Sequence, residues 1–399
     1  MSSLQENVFS NATYHQDWFW TEPSEYSDVG CLMSSNFTSL EDIVENSYSD
    51  GQVAFVTVIL PIVMALGVLN NSAFIYVVAR VPRMRTVTNC YLVGLAIADI
   101  LFLVFAIGSK VWCYIYSPIY TDDTPLGLSG CLLTQFIINM SYFATLCFIT
   151  LVSWERYNGV CRPHRKRDTK LTVFTLVVIS TLVSSLISAS LLMSFSKVYI
   201  ECIIWPDRYP YNEWPRVRYL FYPMYEWSER YSYGVQTIPF FCSLVTNAIF
   251  YHQIIRGLDK SMNRSHHSNH RIHTRDSSTR NQIARMLVIN GVALFALLAP
   301  FEIMSLFHLV GMLRGDQFLL PQEVRIYLVA VARVTSYFNA IVNPVIYTAL
   351  SSTYRESFRI SFLPAQCRPS QRQRIENSVR GSTVTVQCGI SSRTQESRM

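Results

Sequence analysis

The chain has 399 residues, 50% of them hydrophobic and 15% charged, a mean hydropathy of +0.22 and a formal net charge of +6. A soluble domain carries nearer a quarter charged residues, so an ordinary soluble multidomain protein is excluded. The positive balance does not point to nucleic acid, because the first Lys or Arg is Arg80 and only acids precede it. Ten cysteines are scattered without a C-x-x-C pair, which argues against a zinc ribbon or a thioredoxin-like motif.

Residues 1–52 are polar and acidic, with no apolar core near Met1 of the kind a cleaved leader needs. Asn11-Ala12-Thr13 and Asn36-Phe37-Thr38 match the glycosylation acceptor pattern. Seven apolar runs follow, at about 53–79, 90–116, 131–156, 171–195, 232–256, 283–311 and 324–350. Each has the length of a tilted membrane helix. In the third, Arg156 follows Cys131 by about 37 Å on an ideal helix, one bilayer with its interfaces.

The links set an orientation. The first holds Arg80, Arg83 and Arg85, and the third holds Arg162, Arg165, Lys166, Arg167 and Lys170. The fifth and the tail after Tyr354 are also basic. Alternate basic links predict a cytoplasmic face there and an extracellular amino terminus, in the plasma membrane. The link at 257–280 and the tail from 363 to 399 are polar and predict disorder. Four histidines in the 257–280 link lack the Cys or acidic companions of a metal site, so no metal is expected. Between span and tail, Tyr354, Phe358 and Phe362 share one helical face, as in a short helix lying on a membrane. Cys367 just beyond it is a candidate for palmitoylation. The expected fold is an all-α membrane bundle of seven helices over 53–362, followed by a short amphipathic helix.

Polar groups at membrane depth are costly and mark function. Asn71, Asp99, Thr145, Asn339 and Asn343 fall at similar depths and can form one interior cluster, with or without a sodium ion. Pro239, Pro300 and Pro344 interrupt the last three spans and kink them. Tyr347 closes Asn343-Pro344-Val345-Ile346-Tyr347 near the inner face. Nearer the outer face stand Lys110, Glu302, His308 and Arg333, with Gln135, Asn139, Tyr142 and Phe301 as further wall. Two readings stay open for Glu302 and Arg333: an ion pair between them, or a wet pocket in which Arg333 meets a carboxylate, amide or carbonyl of a ligand.

These residues, in this order, resemble the rhodopsin-like G-protein-coupled receptors: Asn71, Leu95-x-x-Ala98-Asp99, Cys131, Glu155-Arg156-Tyr157, Pro239, Pro300 and Asn343-Pro-x-x-Tyr347. The resemblance implies a Cys131–Cys202 disulfide and a heterotrimeric G protein docking near Arg156, with arrestin as a further candidate partner. Cys31 and Cys113 are left as candidates for a second bridge. Arg83 to Val93, Arg285-Met286-Leu287 and Phe295-Ala296-Leu297-Leu298 look like the thyrotropin-releasing-hormone receptors and related invertebrate neuropeptide receptors. That likeness implies an amidated peptide ligand contacted by Arg333, and favours calcium-mobilising coupling.

The sequence also departs from the family. Leu298 stands where an aromatic switch is usual, Asn247 where a tyrosine is usual, and Arg280 cannot latch Arg156. These departures make ligand-independent activity an expectation. Residues 324–350 hold no lysine for an opsin's Schiff base, and Ile138 replaces the aspartate of amine receptors. The alternatives are a receptor for a non-peptide ligand and a transporter using Asp99, Glu302 and Arg333. The latter lacks the internal repeat of such folds. No enzyme and no bound cofactor other than sodium is expected.

Overall fold

A computed structural model describes residues 33–37, 39–120, 122–162, 169–267, 273–315 and 322–362, with side chains described except at 33, 226, 260–267, 273–280, 322–323 and 325–327. Several helices begin where a hydroxyl replaces the partners that a first turn lacks. Ser39 accepts from the Asp42 amide at the head of α1 (Leu40–Asn46). Ser49 and Gln52 form a reciprocal capping box opening α2, which runs Asp50–Arg80 through a π turn at Phe55–Ile59. Thr86 caps α3 (Val87–Tyr116). Gly127, at φ 64°, turns the chain into α4 (Gly127–Cys161) in a region that disfavours any residue with a Cβ. Thr169 caps α5 (Lys170–Leu191). Then come α6 (Glu226–His267), α7 (His273–Arg314) and α8 (Gln322–Leu350), with Pro239, Pro300 and Pro344 inside them. The short α9 (Ser352–Phe362) follows.

The seven helices α2 to α8 are each long and apolar enough to cross a membrane, and they coincide with the seven expected runs. Half of the apolar window of α3, α4 and α7 is buried, against 17% for α2 and 22% for α5. The first three therefore make the core, and α2 and α5 are peripheral. Leu66, Leu69, Leu171 and Leu186 stand exposed on those peripheral helices, as expected of helices whose backbone needs are met internally and whose outer face meets lipid. Toward the Arg156 end, Phe74, Tyr91, Leu95, Phe148, Tyr347 and Tyr354 share one cluster. Higher up, Leu146, Ile149, Phe240, Leu294, Phe295 and Leu298 share another.

The amphipathic helix is present as α9. Tyr354 is buried against Phe74 and Tyr347, and its hydroxyl donates to Asn89 Oδ1. Phe358 is half-buried, and Phe362 is exposed with its ring 5.6 Å from that of Tyr76.

One expectation needs correction. The 257–280 link is helical over 257–267 and again over 273–280, as extensions of α6 and α7. Those stretches hold no proline and one glycine, and adding a residue to an existing helix is far easier than starting one. The link at 196–231, for which the sequence reading gave no strands, adds a small sheet. It forms a hairpin of β2 (Lys197–Ile204) and β3 (Val217–Tyr222), joined by β1 (Met33–Asn36) in the order β1-β2-β3. The β1–β2 pair is parallel, with Ser34 opposite Cys202; β2–β3 is antiparallel, with Glu201 opposite Arg218. Arg218 and Glu201 form a buried ion pair, and the Ser35 hydroxyl donates to the same carboxylate. Ile43, Ile119, Ile203 and Trp205 pack with Phe37, Tyr211 and Trp214 to form this cap's own small core.

Candidate functional site

At the end of the bundle away from the sheet, Arg156 is held on both sides. Its Nε donates to Glu155 Oε2 at 2.6 Å, and its Nη2 donates to the Thr88 hydroxyl. Thr88 in turn donates to Glu155 Oε2 at 2.7 Å. Thr88 lies in the first turn of α3, so the clasp joins α3 to α4. Sequence reasoning gave Glu155 and Arg156 but missed Thr88, which was noticed only as part of the Arg83–Val93 run. Tyr157 stacks on Phe250 of α6, with ring centres 5.5 Å apart and planes at 21°. A second missed contact joins three helices. Tyr251 of α6 accepts a hydrogen bond from Ser153 of α4 at 3.1 Å, and its ring lies directly on Gly291 of α7. Asn247, in the position expected of a tyrosine, is fully buried and donates to Thr150 Oγ1 at 2.9 Å.

Midway along the bundle, Asp99 Oδ2 accepts from Asn343 Nδ2 at 2.7 Å, tying α3 to α8. Asn71 Nδ2 donates to the Ala340 carbonyl at 2.7 Å and the Gly67 carbonyl at 3.0 Å. Asn339 and Thr145 are buried as well. The side-chain oxygens of Asn71, Asn339 and Asn343 have no hydrogen-bond partner in the protein. A carboxylate with several unpartnered amide oxygens is a donor set that fits a hard cation or ordered water. Tyr347 seals this region from below, packed on Phe74 at 5.3 Å.

In the half of the bundle toward the sheet, the expected residues are only partly brought together. Tyr142 of α4 donates to Glu302 Oε1 of α7 at 2.5 Å, and Glu302 Oε2 has no partner. Of the two open readings for Glu302 and Arg333, the ion pair is not among the salt bridges of the described residues. Glu302 is fully buried whereas Arg333 is exposed on α8, and the neutral phenol satisfies Glu302 without burying a second charge. Lys110 pairs instead with Asp123 at 3.6 Å. His308 stacks on Tyr233 of α6 at 5.4 Å. Gln135, Asn139 and Phe301 are half-buried. Leu298 takes the place of an aromatic switch, buried beside Phe295, whose ring meets Phe240 at 5.7 Å.

The cysteines require a further correction. Cys131 and Cys113 are free thiols, so neither the Cys131–Cys202 bridge nor one through Cys113 is formed. Cys202 is disulfide-bonded to a cysteine other than Cys131 or Cys113. In the sheet β1 lies beside β2, so the residue opposite Cys202 is Ser34 of the amino-terminal strand. Asn36 is exposed on β1. Asn11, Cys31, Thr38 and Cys367 lie outside the described residues.

A seven-helix membrane bundle with a clasped arginine at one end and a folded cap at the other is the architecture of a transmembrane receptor. The chain belongs to the family described as 7 transmembrane receptor (rhodopsin family), which it matches over residues 70–347. It is a multi-pass protein of the plasma membrane. Similar proteins include the thyrotropin-releasing hormone receptor of Bos taurus, 28% identical over 331 residues, covering 77% of each chain. The somatostatin receptor type 5 of Rattus norvegicus is 26% identical over 317 residues, again covering 77% of each. The neuropeptide FF receptor 1 of Homo sapiens is 25% identical over 370 residues, covering 88% of this chain and 81% of that one.

Proposed function

We propose that this receptor answers an extracellular peptide and relays the event to a heterotrimeric G protein at the Arg156 end. The observation that carries the reading is the family match together with relatives named for peptide hormones. The basic links support an orientation with the sheet outside and Arg156 inside. The cap adds support: its aromatic residues offer the rigid amphipathic area that peptide recognition favours. Residues 1–52 then form an outer segment glycosylated at Asn11 and Asn36. Residues 53–362 are the receptor, and 363–399 a cytoplasmic tail, with Cys367 the palmitoylation site and arrestin a second partner.

In this reading Arg333 is exposed toward the entering ligand and meets its amidated end, with Lys110, Gln135, Asn139, Phe301 and His308 around it. Tyr142 and Glu302 form the floor. A sodium ion held by Asp99 with Asn339 and Asn343 would neutralise the buried carboxylate and favour the resting packing of α3 against α8. Ligand binding shifts the population toward a state in which α6 and α7 part and the Arg156 clasp opens.

The test is a screen of amidated peptides on cells expressing the full chain, read by calcium release and cyclic-nucleotide level. A peptide agonist is expected, with Arg333→Ala lowering its potency at least tenfold at equal surface expression. An agonist found only among non-peptide compounds would overturn the peptide reading, and unchanged potency in Arg333→Ala would remove the proposed contact.

A further inference from the structure

The pair of Tyr142 and Glu302, in the half of the bundle toward the sheet, is incomplete. Tyr142 donates to Glu302 Oε1 at 2.5 Å, while Oε2 is buried without a hydrogen-bond partner. A phenol supplies one hydrogen bond and no charge. Among the described residues no cation pairs with Glu302, which is 0% exposed. Lys110 is engaged by Asp123, and Arg333 is exposed. A lone carboxylate inside a membrane bundle is costly, and such groups mark function.

The face of α4 between this pair and the sheet end is open. Gln135, Ile138, Asn139 and Tyr142 are spaced i, i+3, i+4 and i+7, so they share one side of the helix. That side looks inward, since Ile138 packs on the cluster of Leu103 and Tyr337, and Tyr142 reaches α7. Yet all four are only half-buried. One and two turns further along the same side, Leu146 and Ile149 are 4% and 0% exposed. They join Phe240, Phe295 and Leu298 in an apolar plug. The open track therefore descends about 10 Å from Gln135 and stops at the Tyr142–Glu302 pair.

We propose that the agonist presents a positively charged nitrogen, the guanidinium or amine of a basic side chain, to Glu302 Oε2 at the foot of this track. The inference rests on the peptide reading above and adds the charge of the ligand's deepest group. Such a group supplies the second donor and the opposite charge that the carboxylate lacks, where little water screens the pair. Oε2 has no free surface in this packing, so a cation reaches it only once α7 has shifted against α4. A ligand that binds the shifted packing better draws the population toward it, which makes the contact an activating one.

The test uses cells expressing the full chain, read by calcium release and cyclic-nucleotide level. The probes are short amidated peptides, acetylated at the amino end, each with one arginine or one lysine. Matched peptides carry citrulline or acetyl-lysine in its place, which removes the charge. Agonists are expected in the basic set, and neutralising the side chain should lower potency by about tenfold or more. In Glu302→Gln, at equal surface expression, the same exchange should change potency by less than about threefold. The comparison on the unaltered receptor does not depend on the variant reaching the surface. Neutral peptides as potent as their basic partners overturn this inference alone, as does an equal loss on exchange in Glu302→Gln and the unaltered receptor. Silence of both sets overturns it as well, and if the wider screen of amidated peptides is also silent, the peptide reading falls with it.

Discussion

Single contacts decide how firmly the Arg156 end is held. The Thr88 hydroxyl accepts from Arg156 and donates to Glu155, so one small side chain serves both members of the clasp. Hydrogen bonds to charged groups contribute about 1.5–3 kcal/mol, and about 1.4 kcal/mol is tenfold in a two-state population. Thr88→Val keeps the shape and removes the bonds. Ligand-independent second-messenger production should rise several-fold at equal surface expression, and an unchanged basal level would show that the clasp does not hold the resting state. Gly291 offers a separate test. A Cβ there would fall 1.7 Å from the Tyr251 hydroxyl oxygen, far inside contact distance. Overpacking of this kind costs about 1–3 kcal/mol, so Gly291→Ala should lower the thermal midpoint of purified receptor by several degrees. Tyr251→Leu in the same background should restore most of the loss, and equal midpoints for wild type and Gly291→Ala would refute the contact.

Among the elements, the cap is the one the sequence concealed. K-V-Y-I-E-C-I-I and V-R-Y-L-F-Y carry strand-forming residues, but Glu201 and Arg218 interrupt the apolar pattern and read as solvated charges. Their pairing across the hairpin is a long-range fact that neither stretch states by itself. Arg218→Ala would strand a buried carboxylate, a change that costs about 3–5 kcal/mol. Surface expression should fall sharply, and replacing both residues with leucine should recover it. Normal expression of the single variant would mean that the pair is not a structural tie. The membrane helices were legible for the opposite reason. Their hydrophobic length is a local property, and Asp99, Asn343 and Pro344 mark the interior within short stretches. The partners were harder to see: a cation on α8 was one of two readings left open for Glu302, and its partner is a tyrosine on α4. Cys131 likewise kept its place while its expected partner went elsewhere.

For the molecule as a whole, the orientation proposed from the basic links can be checked directly. An epitope ahead of Met1 should be stained on intact cells, and one after Met399 only after permeabilisation. Staining of both on intact cells would remove the orientation on which the proposed ligand side depends. Basal activity tests the proposed switching, because Leu298 stands where an aromatic is usual while the Thr88 clasp and the Asp99–Asn343 bond tie α3 to α4 and α8.

The parallel register of β1 on β2 has a practical corollary. Ser34 is exposed yet fixed opposite Cys202, so a fluorophore attached there would travel with the cap instead of tumbling on a tether. Energy transfer from it to a probe on α5, a peripheral helix, would track any cap displacement during agonist addition without a label among the proposed ligand contacts.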